Sequence, residues 1–344
     1  MSTRSAERGD GRPTLEAVAA RAGVGRGTVS RVVNGSAGVS PRARKAVEQA
    51  IAELGYVPNL AARSLVTSRT DAIALIVPET ETRLASEPFF ASIIRGVASE
   101  ISDTDLQLLL ILVSTERERR RLAGFLDGRR VDGVLLVSVH TDDPVVELLE
   151  QSGLPTVLGG RRSDLEPLSY VDSDNLRGAW AAVRHLLDLG RRRVATITGP
   201  LDMEASGVRL EGYRRALREA ELAVDPGLIA HGDFSESSGE QAMAELLARE
   251  PALDAVFCAS DLMAAGAMRT LRRAGRRIPA DVALVGFDDS PIARHTEPPM
   301  TTVRQPSEEM GRAMARLLLE QIAAPSRSHR QIILSTELVV RESA

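Results

Sequence analysis

From Asp71 onward the chain alternates short apolar runs with amphipathic segments, and that alternation leaves few folds open. The strand candidates are Ala72–Val77, Leu106–Leu112, Val131–Val139, Thr156–Leu158, Val194–Thr198, Leu228–Ala230, Ala255–Ala259 and Val282–Phe287. Helical periodicity falls between them, over Phe89–Ile101, Arg117–Leu126, Asn175–Leu189, Gly207–Ala220, Gly239–Ala248 and Leu262–Ala274. Strands separated by helices pair in parallel, and continuous apolar runs suit strands covered on both faces. About 275 residues of this pattern is long for one sheet, which predicts an α/β body of two lobes.

The first 65 residues follow different rules. Leu15, Val18, Ala19 and Ala22 recur at helical spacing behind Thr14, a good N-cap, and Gly23 suits a tight helix-to-helix turn. Val29, Val32 and Val33 repeat the pattern for a second helix whose other face carries Arg26, Thr28, Ser30 and Arg31, side chains able to reach base edges in a major groove. Ser40-Pro41 opens a third helix with Val47, Ala50, Ile51 and Leu54 on one face and Gly55 at its end. Pro58 breaks the chain, and Asn59 can cap a very short helix over Leu60–Leu65. The spacing predicts a helix-turn-helix domain over 13–58, a hinge helix and linker over 59–70, and a polar, disordered arm over 1–12.

Charge separates this piece from the rest. Residues 1–65 hold nine Arg and one Lys against five acids, a net of +5, so the remainder carries −9 of the chain's −4 total. A basic module on an acidic body is the electrostatic footprint of DNA binding.

The run Thr14–Asn34, then Val39-Ser40-Pro41, Ala52-Glu-Leu-Gly-Tyr56-Val-Pro58-Asn59 and Ala62-Arg63-Ser-Leu65, closely resembles the lactose-repressor (LacI/GalR) family of bacterial transcription regulators, without insertions. The likeness continues through Val171-Asp-Ser-Asp174-Asn175, Arg209-Leu-Glu-Gly212-Tyr213, Ala259-Ser260-Asp261, Val285-Gly-Phe287-Asp288-Asp289 and Pro298–Pro306. The resemblance implies an operator-binding homodimer, a second helix lying in the major groove, and DNA contacts from Thr14, Arg26, Thr28, Ser30, Arg31 and Asn34. It also implies a hinge helix, with Asn59, Ala62 and Arg63, that forms on DNA and wedges Leu65 into the minor groove. Gly25 and Gly27 stand where the family usually has a Ser cap and a longer reading side chain, so base reading falls on Arg26, Thr28 and Arg31. For the body it implies the periplasmic-binding-protein type of fold, a ligand cleft between the lobes, and three crossovers. These are expected near Tyr170–Asp174, Arg294–Pro298 and Ala323–Arg330, giving one lobe of 71–172 and 297–324 and another of 173–296 and 325–344. The tail Gln331–Arg341 reads as one closing strand, and no leucine heptad follows it.

In open α/β sheets ligands sit beyond the carboxyl ends of strands. Asp288-Asp289 and Ser260-Asp261 occupy such ends, and Arg209 starts a helix. A carboxylate that accepts and a guanidinium that donates suit the vicinal diol of a sugar. By resemblance, Arg209 and Asp288 contact the effector, the other reading being an interlobe salt bridge. Ser260 serves there or as a helix cap, and Asp261 and Asp289 serve as a cap and a turn. Of Phe89 and Phe90, one faces ligand and one the core. His140, after the third strand, points toward the cleft and is a candidate effector contact, although a histidine there more often serves as a satisfied loop residue. Where relatives place an Asp near the fourth strand's end, this chain reads Leu158-Gly-Gly-Arg161, so Arg161 or glycine backbone takes over that contact. Together with Pro200-Leu-Asp-Met203, His231-Gly-Asp-Phe234 and Phe287-Asp-Asp-Ser-Pro291, this is similar to an actinobacterial subgroup, some members of which respond to cellobiose or related β-glucosides.

One Cys, five His without metal-ligand spacing and no nucleophile elbow leave no catalytic set, no metal site and no cofactor to expect. No segment is long and apolar enough to span a membrane, and the first residues lack a signal-peptide core, so a cytoplasmic protein is expected. The competing readings are a regulator co-repressed by a purine or other small molecule, a solute-binding module, and an enzyme fused to a DNA-binding head.

Overall fold

The computed structural model describes residues 13–33, 38–56, 69–324 and 329–344. The N-terminal arm, Asn34, and the hinge residues Asn59, Ala62, Arg63 and Leu65 lie outside the described residues. Two units, Met1–Thr70 and Asp71–Ala344, are each compact by themselves.

The first unit contains α1 (Leu15–Ala22), α2 (Arg26–Val33) and α3 (Pro41–Leu54). Thr14 Oγ1 accepts the Ala17 N–H, and Gly23 closes α1 at φ 65°. Ser40 caps α3 by accepting from Ala43 N, with Pro41 in its first turn and Gly55 at φ 62° behind it. Val18, Ala19, Val29, Val32, Val47 and Ala50 form a small core, onto which Leu15, Ile51, Leu54 and Tyr56 pack.

The second unit has two six-stranded sheets. The first lobe carries β1 (Ala72–Val77), α4 (Glu81–Ser86), α5 (Pro88–Ile101), β2 (Gln107–Leu112), α6 (Glu116–Asp127), β3 (Gly133–Val137), α7 (Pro144–Ser152), β4 (Thr156–Gly159) and β5 (Ser169–Ser173). The second carries α8 (Asn175–Asp188), β6 (Val194–Thr198), α9 (Glu204–Glu219), β7 (Ile229–His231), α10 (Glu236–Arg249), β8 (Ala255–Cys258), α11 (Asp261–Arg273), β9 (Ala283–Asp288), α12 (Pro291–His295) and β10 (Thr301–Arg304). Then α13 (Ser307–Ala323) and β11 (Gln331–Leu334) return to the first lobe, and β12 (Glu337–Val339) ends in the second. Strand order is β11-β5-β4-β3-β1-β2 in one sheet and β12-β10-β9-β8-β6-β7 in the other. Every pairing is parallel except β10 with β12.

The continuous apolar runs are explained by cores on both faces. On β1, Ile73, Leu75 and Val77 join the α5–α13 side, while Ala72, Ala74 and Ile76 join the α6–α7 side. On β8, Val256 and Cys258 face α10–α11, and Ala255 and Phe257 face α8–α9. Helix pairs are drawn close by glycine. A Cβ on Gly96 of α5 would lie 2.0 Å from the Glu308 carbonyl oxygen of α13, and one on Gly266 of α11 would lie 2.0 Å from that of Glu236 in α10.

The crossovers differ from the sequence reading at two of three places. The first follows β5, at Ser173–Asp174, within a residue of the expected boundary, but Ser169–Ser173 is a fully buried strand and not a hinge. The second is not near Pro298. The β-branched run Thr301–Val303 pairs with β9, so the chain stays in the second lobe until Gln305–Pro306. The third is not at 323–330: β11 pairs with β5 and β12 with β10. The expected single closing strand is therefore two strands, one per sheet, joined across Ser335–Thr336. Crossings one and three are bonded together, Asp174 N donating to Leu334 O at 2.8 Å and Thr336 Oγ1 to Asp174 O at 3.2 Å.

Candidate functional site

A cleft lies between the lobes at the carboxyl ends of the strands. The first lobe contributes Arg83 and Glu87, Phe89 and Phe90 at the start of α5, Gly160 and Arg161 after β4, and Asp172 of β5. The second contributes Asn175, Met203, Arg209, Phe234 and Asp288, with Gln305 at a crossing.

Arg209 is the most constrained of these side chains. It is 5% exposed, and its guanidinium lies 3.7 Å above the centre of the Phe287 ring. Nε donates to Asn175 Oδ1 (2.8 Å), Nη1 to Ala259 O (2.6 Å) and Nη2 to Gln305 Oε1 (2.9 Å). Asn175 and Gln305 flank two of the crossings, so this guanidinium is tied to points where the chain passes between the lobes. Asp288 approaches Nη1 only to 3.9 Å, too far for a hydrogen bond. Burial holds the Asp288 carboxyl well above its usual range, against the pull of Arg209. A hydroxyl placed between them would accept from one and donate to the other.

Two further arginine–carboxylate pairs line the cleft. Arg161 lies 3.4 Å from Asp172, whose carboxyl burial raises while Arg161 opposes the rise. The Arg161 Nε is buried with no partner, so the side chain has an unspent donor in a polar cavity. Arg83 Nε donates to Glu87 Oε2 at 3.0 Å, and burial pushes Glu87 upward too. Three arginines thus face three carboxylates, Glu87, Asp172 and Asp288, and the lining has no formal net charge. Phe89 and Phe90 meet edge to face at 5.5 Å, and with Phe234, Met203 and Met310 they supply apolar walls.

Of the residues expected here, Phe89, Phe90, Arg161, Arg209 and Asp288 are brought together. Phe90 is 2% exposed and belongs to the core cluster as well, whereas Phe89 is half-buried. Two others are not brought in. Ser260 caps α11, its Oγ accepting from Met263 N, and it does not line the cavity. His140 lies outside the lining: Nδ1 reaches Asp202 Oδ2 of the other lobe at 2.8 Å, and Nε2 reaches Glu79 Oε1 at 3.3 Å. Thr141 N also donates to the Asp202 carbonyl at 2.7 Å. His140 is therefore an interlobe bridge.

Sequence reasoning missed Arg83, Glu87, Asp172, Asn175, Phe234 and Gln305. Asp172, Asn175, Phe234 and Gln305 sat inside quoted motifs, but Asp172 fell in an expected crossover, Asn175 opened an expected helix, and none was assigned to the site. Among the described residues, no group of His, Cys, Asp and Glu could hold a metal ion.

On the first unit, Arg26 and Arg31 are exposed on α2 beside Gly27, and Thr28 and Ser30 are half-exposed. Arg26 pairs with Glu16 at 3.1 Å, and Arg31 Nε donates to Gly27 O at 3.2 Å, both with the side chains accessible to a partner. Thr14 is engaged as the α1 cap.

Residues 14–59 match the model described as bacterial regulatory proteins, lacI family, and residues 183–344 match a periplasmic binding protein-like domain. The chain is 54% identical over 334 residues to the HTH-type transcriptional regulator CelR of Thermobifida fusca, spanning 96% of this chain and 98% of that protein. It is 35% identical to the ribose operon repressor of Escherichia coli strain K12, over 96% and 99% of the two chains. Among solved structures, a CelR–cellobiose complex aligns with TM-score 0.78 at 52% identity, covering 97% of this chain and 100% of that one. The lac repressor dimer bound to operator and the anti-inducer ONPF aligns with TM-score 0.84 at 28% identity, covering 97% and 99%.

Proposed function

The chain belongs to the lacI family of bacterial regulatory proteins, and we propose that it binds a palindromic operator as a homodimer and releases it when a neutral β-linked glucose disaccharide, cellobiose or a close analogue, occupies the interlobe cavity. The observation that carries the sugar class is the balanced lining: three guanidiniums and three carboxylates set between aromatic and methionine walls. A sugar whose hydroxyls are all equatorial presents a rim of donors and acceptors to the charged groups and flat C–H faces to Phe89 and Phe234. A phosphorylated sugar would bring charge that this neutral lining does not offset, because buried charge needs a partner. Likeness to CelR, whose solved complex holds cellobiose, supports the same sugar.

The mechanism is a population shift. Sugar contacts made from both lobes favour the closed cleft, and closure changes the geometry that the DNA-binding units of the dimer present to the operator. As a regulator that binds operator DNA, the protein works in the cytoplasm, where the nucleoid lies. Anisotropy of labelled operator DNA, titrated with protein at fixed salt, tests this directly. Cellobiose should weaken binding by about tenfold or more, equal to about 1.4 kcal/mol, and its 6-phosphate should not. Operator affinity indifferent to cellobiose and to a panel of other neutral disaccharides overturns the proposal.

A further inference from the structure

Behind the cavity, a buried carboxylate that does not line the site holds one of its walls, and its charge helps push the Asp288 carboxyl up. Asp261 is fully buried at the first position of α11. It is not needed as that helix's cap, because Ser260 already accepts from Met263 N. Its two oxygens instead face another element. Thr302 Oγ1 of β10 donates to Oδ1 at 2.5 Å, and the Ser290 N–H donates to Oδ2 at 2.7 Å. Strand β9 makes room for the carboxylate with Gly286, where a Cβ would sit 2.4 Å from Oδ1.

What these bonds secure is the turn after β9. Asp288 has φ 113° and Asp289 φ 51°, two successive side-chain-bearing residues in backbone conformations that L-residues rarely adopt. Such a turn persists only where its surroundings over-determine it. The Thr302 hydroxyl serves both sides, donating to Asp261 and accepting from Asp289 N at 3.4 Å, while Arg304 and Arg341 hold the Asp289 carboxylate.

We propose that Asp261 is a positioning residue for the effector: through Ser290 and Thr302 it clamps the 288–290 turn and thereby aims the Asp288 carboxylate into the cavity. This rests on the reading that Asp288 meets the sugar. Burial pushes the Asp261 carboxyl up to about 7, with Thr302 and Ser290 opposing the rise, so a group that is expensive to keep charged is retained where the turn needs two acceptor oxygens.

The test uses the full-length protein with Asp261→Asn, Thr302→Val and Thr302→Ser, and cellobiose as probe. Asp261→Asn and Thr302→Val should each weaken cellobiose binding by about tenfold, Thr302→Ser by no more than about twofold, and sugar-free operator affinity should be unchanged. In an Asp288→Ala background Asp261→Asn should add nothing, because its effect acts through Asp288. Independent losses in the double variant, or wild-type affinity in Thr302→Val, overturn the proposal. Amide exchange at Asp289 and Ser290 in sugar-free protein reads the clamp without any ligand: faster exchange in Asp261→Asn supports it, and wild-type rates overturn it. If cellobiose fails to bind wild type while exchange rises as expected, the sugar was misassigned and the clamp stands.

Discussion

Arg209 satisfies three acceptors at once, and removing it shows what each residue near the cavity depends on. Arg209→Met keeps volume but orphans Asn175 Oδ1, Gln305 Oε1 and the Ala259 carbonyl, all in buried surroundings. Unfolding stability should fall by about 2 kcal/mol in a urea melt, and cellobiose should no longer shift operator affinity. Retained sugar response in this variant would remove Arg209 from the site. That Arg209 and Asp288 belong to the cavity was legible in the sequence, because each stands within a family motif, although only Asp288 is at an element end and Arg209 lies in the second turn of α9, not at its start. Their supports were not legible: Gln305 is 96 residues from Arg209 in sequence, and nothing local in its run of prolines announces a buried hydrogen bond. His140 failed in the opposite sense. Its place after a strand pointed toward the cleft, but its partners Glu79 and Asp202 lie about sixty residues away on either side.

Elements act through two kinds of contact, bridges between lobes and close seams within them. The His140 bridge is pH-dependent. Hydrogen bonding to Glu79 raises the imidazole above its ordinary value, burial opposes this, and Asp202 adds to the rise. A raised value means that the bridge's stabilisation is fully present below the ordinary histidine range and is lost as pH climbs through the raised one. Cellobiose affinity should therefore decline as pH rises above the ordinary histidine range, and His140→Gln should flatten that limb of a calorimetric pH series. An alkaline decline unchanged in His140→Gln would dissociate the bridge from closure. Within the first lobe, Gly96→Val should lower stability by about 3 kcal/mol in a denaturant melt, because the new side chain meets the backbone of α13 rather than a movable side chain. Helix α13 was absent from the sequence reading for a local reason. Pro306 stands at its N-cap, so the usual side-chain acceptor is missing, although Met310, Met314, Leu317 and Leu318 form an apolar stripe. Strands such as β1 and β9 were legible because both faces are apolar, whereas the Ser- and Thr-bearing β5 and β10 gave no apolar run, and β11 and β12 merged into one expected closing strand.

For the molecule as a whole, the division of charge sets how it meets DNA. The +5 carried by residues 1–65 against −9 elsewhere should confine phosphate contacts to the N-terminal unit. Arg26→Ala should weaken operator binding by about 1–3 kcal/mol and relax preference at one base pair, as a selection experiment on randomised half-sites would read. Uniform weakening across all sequences would instead make Arg26 a phosphate contact. The two-lobe architecture was legible from length and alternation, but not the route of the chain, because β11 and β12 differ in sheet membership while lying three residues apart. That route has a mechanical consequence. Three tethers at Ser173–Asp174, Gln305–Pro306 and Ser335–Thr336 join two stiff bodies, and tethers in that number suppress sliding and leave little beyond rotation about one axis. Cleft chemistry then decides which molecule drives the stroke, while the path of the stroke is fixed by backbone. Substitutions at Arg161 or Phe89 could retune ligand preference without changing the direction in which the signal travels.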